Sequence, residues 1–334
     1  MKLIVTIIAS LVLVLSNVLM PVASAAEKSP PKPVPFSSFF LLDSRDDISK
    51  ELFSAYWRDV HGVLVSQYDI PDMNYWQLHL EEVDLLIWPE ADGVNRMPEP
   101  NERIEGIAAA NFSGKEIDDK TANERNDKIA KQVFHDEQNV FKASYGLYSK
   151  GKNAITFIDK RTNDSLKENE TLFKTMVLLR KADNVKLDDF RAYLRDQLAP
   201  KLSADRRAIT VRLSLLEPYD ASSWDTPGVE NNFAVGKGYH AVLELVFKTR
   251  DAVVAALRSS SLTNVVSNQS SFINAAFVYP VNETFIMISD GRATQLGLRG
   301  HPTMKTIEAI GANNQKRLDI LQLIYGAKTK LPRR

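Results

Sequence analysis

The residues of this chain best suited to proton transfer are its five histidines, because imidazole changes charge near neutral pH. His61 stands out among them, since it follows Tyr56 and Trp57 in the segment FSAYWRDVHG. It lies four residues after Trp57 and three before Leu64, which places it on the apolar stripe of a predicted helix. On that stripe, His61 could act as a general acid or base on a ligand held by the two aromatic rings.

A structural role for His61 competes with the catalytic one. The predicted helix ends near Gly62, and glycine is the usual residue just beyond a helix C-terminus. An imidazolium in the last turn of a helix interacts favourably with the helix dipole and with the free carbonyl groups. The residues alone leave both roles of His61 open.

Polar side chains on one face of a predicted strand form a second group of candidates. Tyr75, Gln77 and His79 alternate with apolar residues and therefore share one face of that strand. If this face lines a cleft, Tyr75 and His79 could orient a phenol or carbonyl oxygen of a ligand. If it faces another part of the chain, they are polar groups of an interface, and the same alternatives apply to His240.

Metal and phosphate sites are not predicted. The histidines include no close pair with the spacing of a zinc motif, and the chain has no cysteine. We interpret His135, Asp136 and Glu137 as the polar face of a helix, and His301 as part of a loop. No phosphate-binding loop, dinucleotide fingerprint or nucleophile elbow occurs in the sequence. No cofactor is predicted, although one histidine would suffice as a haem ligand.

The composition indicates a globular protein without a strongly charged partner. Hydrophobic residues make up 44% and charged residues 25% of the 334 residues, which is ordinary for soluble proteins. Lys plus Arg and Asp plus Glu each number 42, so neither nucleic acid nor an anionic membrane is predicted as a partner. The length allows two modest domains or one large domain.

The N-terminus has the features of a secretory signal peptide. Lys2 precedes the apolar stretch 3–19, and Ala23-Ser24-Ala25 offers the small residues that signal peptidase reads. Residues 1–25 are therefore predicted to be a signal peptide, followed by a proline-rich spacer at 26–35. Because these features indicate export and the apolar stretch is short of a full membrane span, we predict a periplasmic or secreted protein without a stable membrane anchor. The absence of cysteine, and hence of disulfides, fits a bacterial periplasm better than a eukaryotic secretory product.

An internal repeat relates the two halves of the chain. Shifted by 137 residues, the segment that ends at Asp59 lies without a gap on the segment that ends at Asp196. Strand, turn and helix signals keep one register in both segments, which indicates a duplicated domain. We interpret the pair Arg58 and Asp59 as structural, because it recurs in both halves. The matched residues are Phe36 and Phe173, Leu41 and Leu178, Phe53 and Phe190, Tyr56 and Tyr193, Arg58 and Arg195, and Asp59 and Asp196.

Each half predicts the order strand, helix, strand, strand, helix, strand, which is the ferredoxin-like arrangement. The predicted fold class is therefore α+β, with two tandem ferredoxin-like repeats that pair as a pseudo-dimeric α/β barrel. The predicted units are 36–165, 166–302, and a C-terminal helix with a basic tail at 303–334, the helix covering 303–325. Predicted strands cover 36–42, 75–80, 104–112 and 154–159, then 172–179, 209–215, 239–247 and 277–287; the second helices lie within 121–148 and at 250–259.

The segment YWRDVHG, residues 56–62, resembles the Y-W-R-x-x-H-G signature of the EthD-like group in the dimeric α/β-barrel superfamily. The resemblance implies a ferredoxin-like fold with a small-molecule cleft between helices and sheet. It also implies that the histidine faces this cleft, a role that we carry onto His61 alone. The second half has Leu194 and Leu198 where the first has Trp57 and His61, so only the first half is expected to be functional.

Relatives in this superfamily include cofactor-free isomerases, dehydratases and cyclases that act on aromatic or polyketide-like compounds, and more distant haem enzymes. The resemblance therefore leaves three functions open. The first is an exported, cofactor-independent enzyme in which His61 is the acid or base on an apolar or aromatic ligand. The second is a module that binds a ligand or a partner without turnover, and the third is a haem protein. Self-association into a homo-oligomer is also left open. The predicted ligand-binding residues are Tyr56, Trp57, Tyr75 and His79.

Overall fold

The computed structural model describes residues 36–113, 120–161 and 172–331, so the predicted signal peptide and spacer lie outside the described residues. A curled antiparallel sheet with helices packed on it gives an α+β fold, as predicted. The strands are β1 (Phe36–Ser44), β2 (Asn74–Leu80), β3 (Gly106–Phe112), β4 (Phe141–Lys150), β5 (Ala154–Asp159), β6 (Phe173–Lys181), β7 (Thr210–Leu215), β8 (Ala241–Phe247), β9 (Ile273–Ser289) and β10 (Arg292–Ala293).

The helices of the first half begin with α1 (Lys50–Tyr56), which continues through the π-helical turn π1 (Trp57–His61) into α2 (Gly62–Val65). In the second half, α4 (Leu187–Ala192) continues in the same way through π2 (Tyr193–Leu198) into α5 (Ala199–Ala204). The remaining bounds are α3 (Lys120–Val140), α6 (Arg250–Leu257), α7 (Thr263–Ser267), α8 (Gln295–Arg299), α9 (His301–Ile310) and α10 (Leu318–Tyr325).

The strand order of the sheet repeats itself. The full order is β4-β1-β3-β2-β9-β6-β8-β7-β5, with β10 paired to β9. Strands β1 to β4 take the order β4-β1-β3-β2, and β6 to β9 take the corresponding order β9-β6-β8-β7. Both are the order of a ferredoxin-like sheet, in which each crossover carries a helix to the same face.

Strand β9 runs across both halves of the sheet. It pairs with β6 up to Pro280 and then with β2 as far as Ile288. At the two ends of the strand order, β4 pairs with β1 and β5 pairs with β7. The short turn Gly151–Asn153 joins β4 directly to β5, so the two ends of the order are adjacent in the chain. The sheet is therefore curled, and its two end strands are joined by this turn.

Three apolar clusters fill the fold. Two of them lie between a helix and the sheet, one around Phe53 and Trp57 and the other around Phe190 and Leu198. The third lies on the opposite, inner face of the curled sheet and takes side chains from both halves. Its members include Leu41, Leu78, Ile107, Leu147, Met176, Leu178, Val242, Phe277 and Tyr279.

Two long connections cross from one half to the other, and each is anchored by a tryptophan. The β2–β3 connection packs on the second half, where Trp88 Nε1 donates to Gln269 Oε1 at 2.6 Å. The β7–β8 connection packs on the first half, where the ring of Trp224 contacts Phe40 and Phe134, each at 4.8 Å between centroids. Each half therefore contributes part of the covering of the other.

Two predicted element boundaries are wrong. The helix predicted within 121–148 ends at Val140, and β4 follows at once. Pairing with β1 fixes this segment as a strand, whereas the predicted strand at 154–159 is β5 and pairs with β7. The single C-terminal helix predicted at 303–325 is divided into α9 and α10, because Gly311 ends α9 with a φ of 73°.

The described helices were also compared with the requirements of a membrane span. Within the three described ranges, none has the length and the hydropathy to cross a bilayer.

We expect residues 166–334, expressed alone, to aggregate or self-associate. In this fragment the part of β9 beyond Pro280 loses its partner β2, and the inner apolar cluster loses the side chains of the first half. Light scattering and thermal melting of the fragment and of the full chain measure the effect. A well-behaved monomeric fragment with a sharp melting transition would contradict it.

Candidate functional site

The π-helical turn π1 determines which side chains of the first helix face the sheet. A π turn holds about one residue more than an α turn, so it moves the inward-facing positions one residue along the chain. His61 and Val65 are therefore buried, at 4% and 8% exposure. Val60, which the α-helical spacing predicts to be buried, is 48% exposed.

The capping role considered for His61 is wrong. The helix does not end at Gly62, whose φ of −62° is helical, but continues to Val65. Glycine is needed here for close packing. A Cβ at Gly62 would lie 2.5 Å from Gln77 Nε2 and 2.7 Å from Met287 Cε, both on the sheet. His61 consequently lies in the middle of a helix that presses against the sheet.

His61 is bound to a carboxylate on the second helix of its half. Its Nδ1 lies 2.8 Å from Oδ2 of Asp136 on α3, and its ring meets Phe141 edge-on at 5.3 Å between centroids. The other oxygen of Asp136, Oδ1, accepts a hydrogen bond from the Tyr56 hydroxyl at 2.5 Å. Tyr56 and His61, both predicted site residues, are thus brought together by Asp136.

The surroundings of Asp136 keep it ionised. Burial raises the pKa of Asp136, but the hydrogen bonds from His61 and Tyr56 outweigh burial and leave the pKa below its ordinary value. Burial and the hydrogen bond to Asp136 raise the pKa of Tyr56 to about 12, so its hydroxyl stays protonated and donates. An ionised Asp136 can only accept, which requires the proton of a neutral His61 to be on Nδ1.

A second carboxylate of α3, Glu137, lies near His61 and is held by the other half of the chain. It is 4% exposed and accepts hydrogen bonds from the Thr226 hydroxyl and from Trp224 Nε1, the latter at 3.1 Å to each oxygen. Burial raises the pKa of Glu137, against the opposing effect of His61 and of these hydrogen bonds. The β7–β8 connection is therefore part of the surroundings of this site.

The interpretation of His135, Asp136 and Glu137 as a polar helix face is wrong. Only His135 is exposed, while Asp136 and Glu137 face inward. The spacing contains a signal for this. Glu137 lies four residues after Val133 and three before Val140, both buried, so it occupies a position of the apolar stripe.

The other predicted site residues form a second cluster between α1 and strand β2. His79 Nδ1 lies 2.7 Å from the Ser54 hydroxyl, and its ring stacks on Trp57 at 4.4 Å between centroids. Gln77 Nε2 donates to the carbonyl oxygen of Trp57 at 2.8 Å and lies 3.4 Å from the Tyr75 hydroxyl. These side chains therefore face the helix of their own half, and the interface interpretation of this strand face is wrong.

His79 is neutral in the folded protein. Burial, reinforced by the positive charge of Arg58, lowers the pKa of His79 to about 3. Tyr75 is also buried, at 5% exposure, and burial raises the pKa of its hydroxyl. This cluster is thus uncharged around neutral pH and binds the helix to the sheet.

Trp57 packs closely on the sheet. A Cβ at Gly106 would lie 2.5 Å from the indole ring, so glycine is required at that point of β3. The indole Nε1 is buried and makes no hydrogen bond within the described part of the chain. Phe141 contacts Phe53, at 6.1 Å between centroids, as well as His61, and so connects the two clusters.

Two cavities lie away from the predicted site residues. One, of about 500 Å³, is lined by residues that include Tyr193 and Phe272, and the other, of about 410 Å³, by residues that include Asp43 and Glu105. Neither cavity borders a predicted site residue. Within the described ranges, no three His, Asp or Glu side chains are grouped as a metal site.

The second half lacks the acid–base groups of the first. Leu198 takes the place of His61 and is 1% exposed within the apolar cluster. The Tyr193 hydroxyl, which corresponds to that of Tyr56, donates to the carbonyl oxygen of Val265 at 3.1 Å rather than to a carboxylate. This difference follows from the sequence, since a leucine in place of His61 needs no anionic partner.

The two Arg–Asp pairs are structural, as predicted. Arg58 binds Asp59, which also accepts a hydrogen bond from the backbone N–H of His301 at 2.9 Å and so holds the start of α9. Arg195 and Asp196 form the same ion pair on the surface. His301 is thus the first residue of a helix rather than part of a loop.

Comparison with known proteins adds a limited similarity. No family model matches the sequence, and no curated protein does. Similar solved structures include a candidate monooxygenase from Lactobacillus acidophilus NCFM (8% identity, 76% of this chain, 100% of that chain, TM-score 0.41). A second is a candidate monooxygenase from Fusobacterium nucleatum (11% identity, 77% of this chain, 96% of that chain, TM-score 0.45). A third is an anthrone oxidase-like protein (6% identity, 77% of this chain, 94% of that chain, TM-score 0.44). At TM-scores below 0.5 these similarities carry no argument about the site.

We expect His79 to make the folded protein less stable as the pH falls. The unfolded chain binds a proton at this histidine with a pKa of about 6.5, whereas the folded chain has a pKa of about 3 there. Between these values the unfolded state binds more protons, so stability decreases by about 1.4 kcal/mol for each pH unit of acidification. Replacement by glutamine, His79→Gln, should remove this contribution to the slope.

Urea unfolding at about pH 4, 5, 6 and 7 measures the slope for His79→Gln and for the unmodified protein. His135→Gln is the matched control, because His135 is exposed and should leave the slope unchanged. Parallel profiles of His79→Gln and the unmodified protein would show that His79 does not titrate as the structure requires.

Proposed function

We propose that this chain is a small-molecule-binding protein in which His61 transfers a proton to or from its ligand. The observation that carries this proposal is the 2.8 Å contact between His61 Nδ1 and Asp136, with Asp136 held in turn by Tyr56. A carboxylate on one imidazole nitrogen orients the ring and selects its tautomer. That arrangement suits a general base.

The chemistry follows from the protonation states. When the Nδ1–H group donates a hydrogen bond to Asp136, the lone pair of Nε2 is available to accept a proton from the ligand. The imidazolium formed in this step is stabilised by the negative charge of Asp136 and can return the proton at another atom. Proton abstraction and return on one compound is an isomerisation. If the imidazolium instead delivers this proton to a departing hydroxyl group of the ligand, the reaction is a dehydration.

The groups around His61 favour an apolar or aromatic ligand. Phe141 lies against the imidazole, and the indole of Trp224 is 4.8 Å from the ring of Phe134 on the same helix as Asp136. Because His61 is only 4% exposed, a ligand must displace side chains between the first helix and α3 to reach Nε2. Tyr56 and Trp57, on that helix, are the proposed ligand-binding side chains, with Tyr75 and His79 behind them.

Binding without turnover is the second candidate function. His61 is only 4% exposed, which favours a role in holding the structure over repeated access by a substrate. Under this alternative, His61 and Asp136 form a buried polar pair that fixes the position of the first helix relative to α3. The two candidates differ in whether a bound compound exchanges protons.

We also propose that the chain consists of two ferredoxin-like repeats, at 36–165 and 166–302, paired as a pseudo-dimer. The repeated strand order and the shared inner cluster support this pairing. Assignment to the EthD-like group rests on the segment 56–62, in which the structure buries Trp57 and His61. Export to the periplasm or outside the cell rests on the signal-peptide features of residues 1–25.

We expect His61→Leu to abolish proton exchange on a bound ketone. The probe is 1-tetralone, an aromatic ketone with acidic protons next to its carbonyl, followed by NMR during exchange in D₂O. The unmodified protein should accelerate exchange with saturation kinetics, and removal of a general base should lower the rate about 100-fold or more. His135→Leu, one residue from Asp136, is the matched control and should retain the full rate.

Two outcomes would contradict the catalytic proposal. One is saturable binding of 1-tetralone without acceleration of its proton exchange. The other is acceleration that persists in His61→Leu. Loss of both binding and exchange in His61→Leu requires a stability control, because the change leaves Asp136 without one hydrogen-bond donor. That loss should cost about 1–3 kcal/mol in urea unfolding and leave the protein folded.

A further inference from the structure

A cavity of about 410 Å³ lies at one end of the curled sheet, away from His61. It is placed where β1 and β2 end and β3 begins, with Tyr279 of β9 contributing to its wall. Its volume falls within the range of about 300–1,000 Å³ that is typical of small-molecule sites. Its lining is rich in charge and includes Asp43, Glu81, Glu82, Arg103, Glu105 and Lys142.

Two carboxylates in this lining, Asp43 near the end of β1 and Glu105 just before β3, lie side by side and face the same way. Leu42 is paired with Gly106, and its carbonyl oxygen accepts a hydrogen bond from the N–H of Glu105 at 2.8 Å. Continuing this register places Asp43 opposite Glu105. Asp43 lies two residues after Leu41, which belongs to the inner cluster, so Asp43 and Glu105 both face the inner side of the sheet. Like charges directly opposite each other destabilise a sheet.

Two polar groups in the same wall lack a hydrogen-bond partner. Among the described residues, nothing bonds to Oε2 of Glu105 or to the hydroxyl of Tyr279. Tyr279 is 1% exposed, and its hydroxyl lies close to the backbone N–H of Ile104 without a hydrogen bond of normal geometry. Buried polar groups are rarely left unpaired, because the loss of their hydrogen bonds to water is then not compensated. Both atoms are acceptors suited to a donor from within the cavity.

The basic side chains of the lining are paired with carboxylates or are exposed at the rim. Lys142 Nζ is 2.8 Å from Asp46 and 3.8 Å from Asp43, and Arg45 is bound to Asp47. Lys50 and Arg103 are exposed. Burial and the charge of Glu105 together raise the pKa of Asp43 to about 6, against the lowering effect of Lys142. The deep end of the cavity is therefore short of positive charge.

We propose that this cavity binds a small primary amine, whose ammonium group lies between Asp43 and Glu105. The ammonium would donate hydrogen bonds to Glu105 Oε2 and to the oxygen of the Tyr279 hydroxyl, the two atoms that lack partners. One positive charge between the two carboxylates also removes their repulsion. The site shares no residue with the cluster around His61, so it is independent of the proposed function.

Isothermal titration of the full chain with n-butylamine, at about pH 8 and low salt, tests the proposal. We expect saturable binding that Asp43→Asn and Glu105→Gln each weaken about tenfold or more, as for hydrogen bonds to charged groups. Tyr279→Phe removes only a neutral acceptor and should weaken binding about threefold. Glu124→Gln, an exposed acidic residue of α3 outside the cavity, is the matched control and should bind like the unmodified protein.

Two further probes identify the ligand class. Tetramethylammonium carries the same charge without N–H donors, so it should bind at least about tenfold more weakly than n-butylamine. Equal affinity for the two, stronger binding of Ca²⁺ at the same residues, or absence of saturable binding would overturn the proposal. In the absence of amine, Glu105→Gln should raise the melting temperature because it removes the like-charge pair. A lowered melting temperature would show that Glu105 is structural and would also overturn it.

Discussion

The exchange of strands and loops between the two halves is the constraint on which the other features of this protein depend. Strand β9 pairs with β6 and then with β2, and β4 passes into β5 to pair with β7. This arrangement gives both halves one inner apolar cluster. It also carries Trp224 across to Glu137, beside His61. The surroundings of the candidate site are therefore built by the whole chain, although its acid–base residues come from one half.

The candidate site shows how a polar group is accommodated in such close packing. Gly62 and Gly106 let the first helix approach the sheet, and π1 turns His61 inward. A buried imidazole needs a partner, and Asp136 supplies it while Tyr56 satisfies the other carboxylate oxygen. In the second half, Leu198 removes the need for that partner. The two halves thus share one packing scheme, and the polar pair of His61 and Asp136 lies in the first half.

Much of this architecture is predictable from sequence, because apolar periodicity repeats in both halves and each strand is bounded by turn residues. The prediction is wrong where long-range contacts decide. Phe141 to Lys150 forms a strand only because β1 pairs with it, and the exposure of Val60 and burial of Val65 require a π turn that α-helical spacing does not contain. Asp136 and Glu137 were missed because carboxylates on a helix are usually solvated. Their spacing relative to Val133 and Val140 was the available signal.

The central claim is that Asp136 orients His61 for proton transfer, and the most direct measurement is the ¹⁵N NMR spectrum of the His61 imidazole. With the ring neutral, the account predicts a proton on Nδ1, hydrogen-bonded to the carboxylate, and an unprotonated Nε2. In Asp136→Asn, the downfield signal of the His61 Nδ1 proton should disappear, and both neutral tautomers of His61 should be populated. The spectrum of His79 should remain unchanged. A neutral His61 protonated on Nε2 in the unmodified protein, or a spectrum unchanged by Asp136→Asn, would contradict the account.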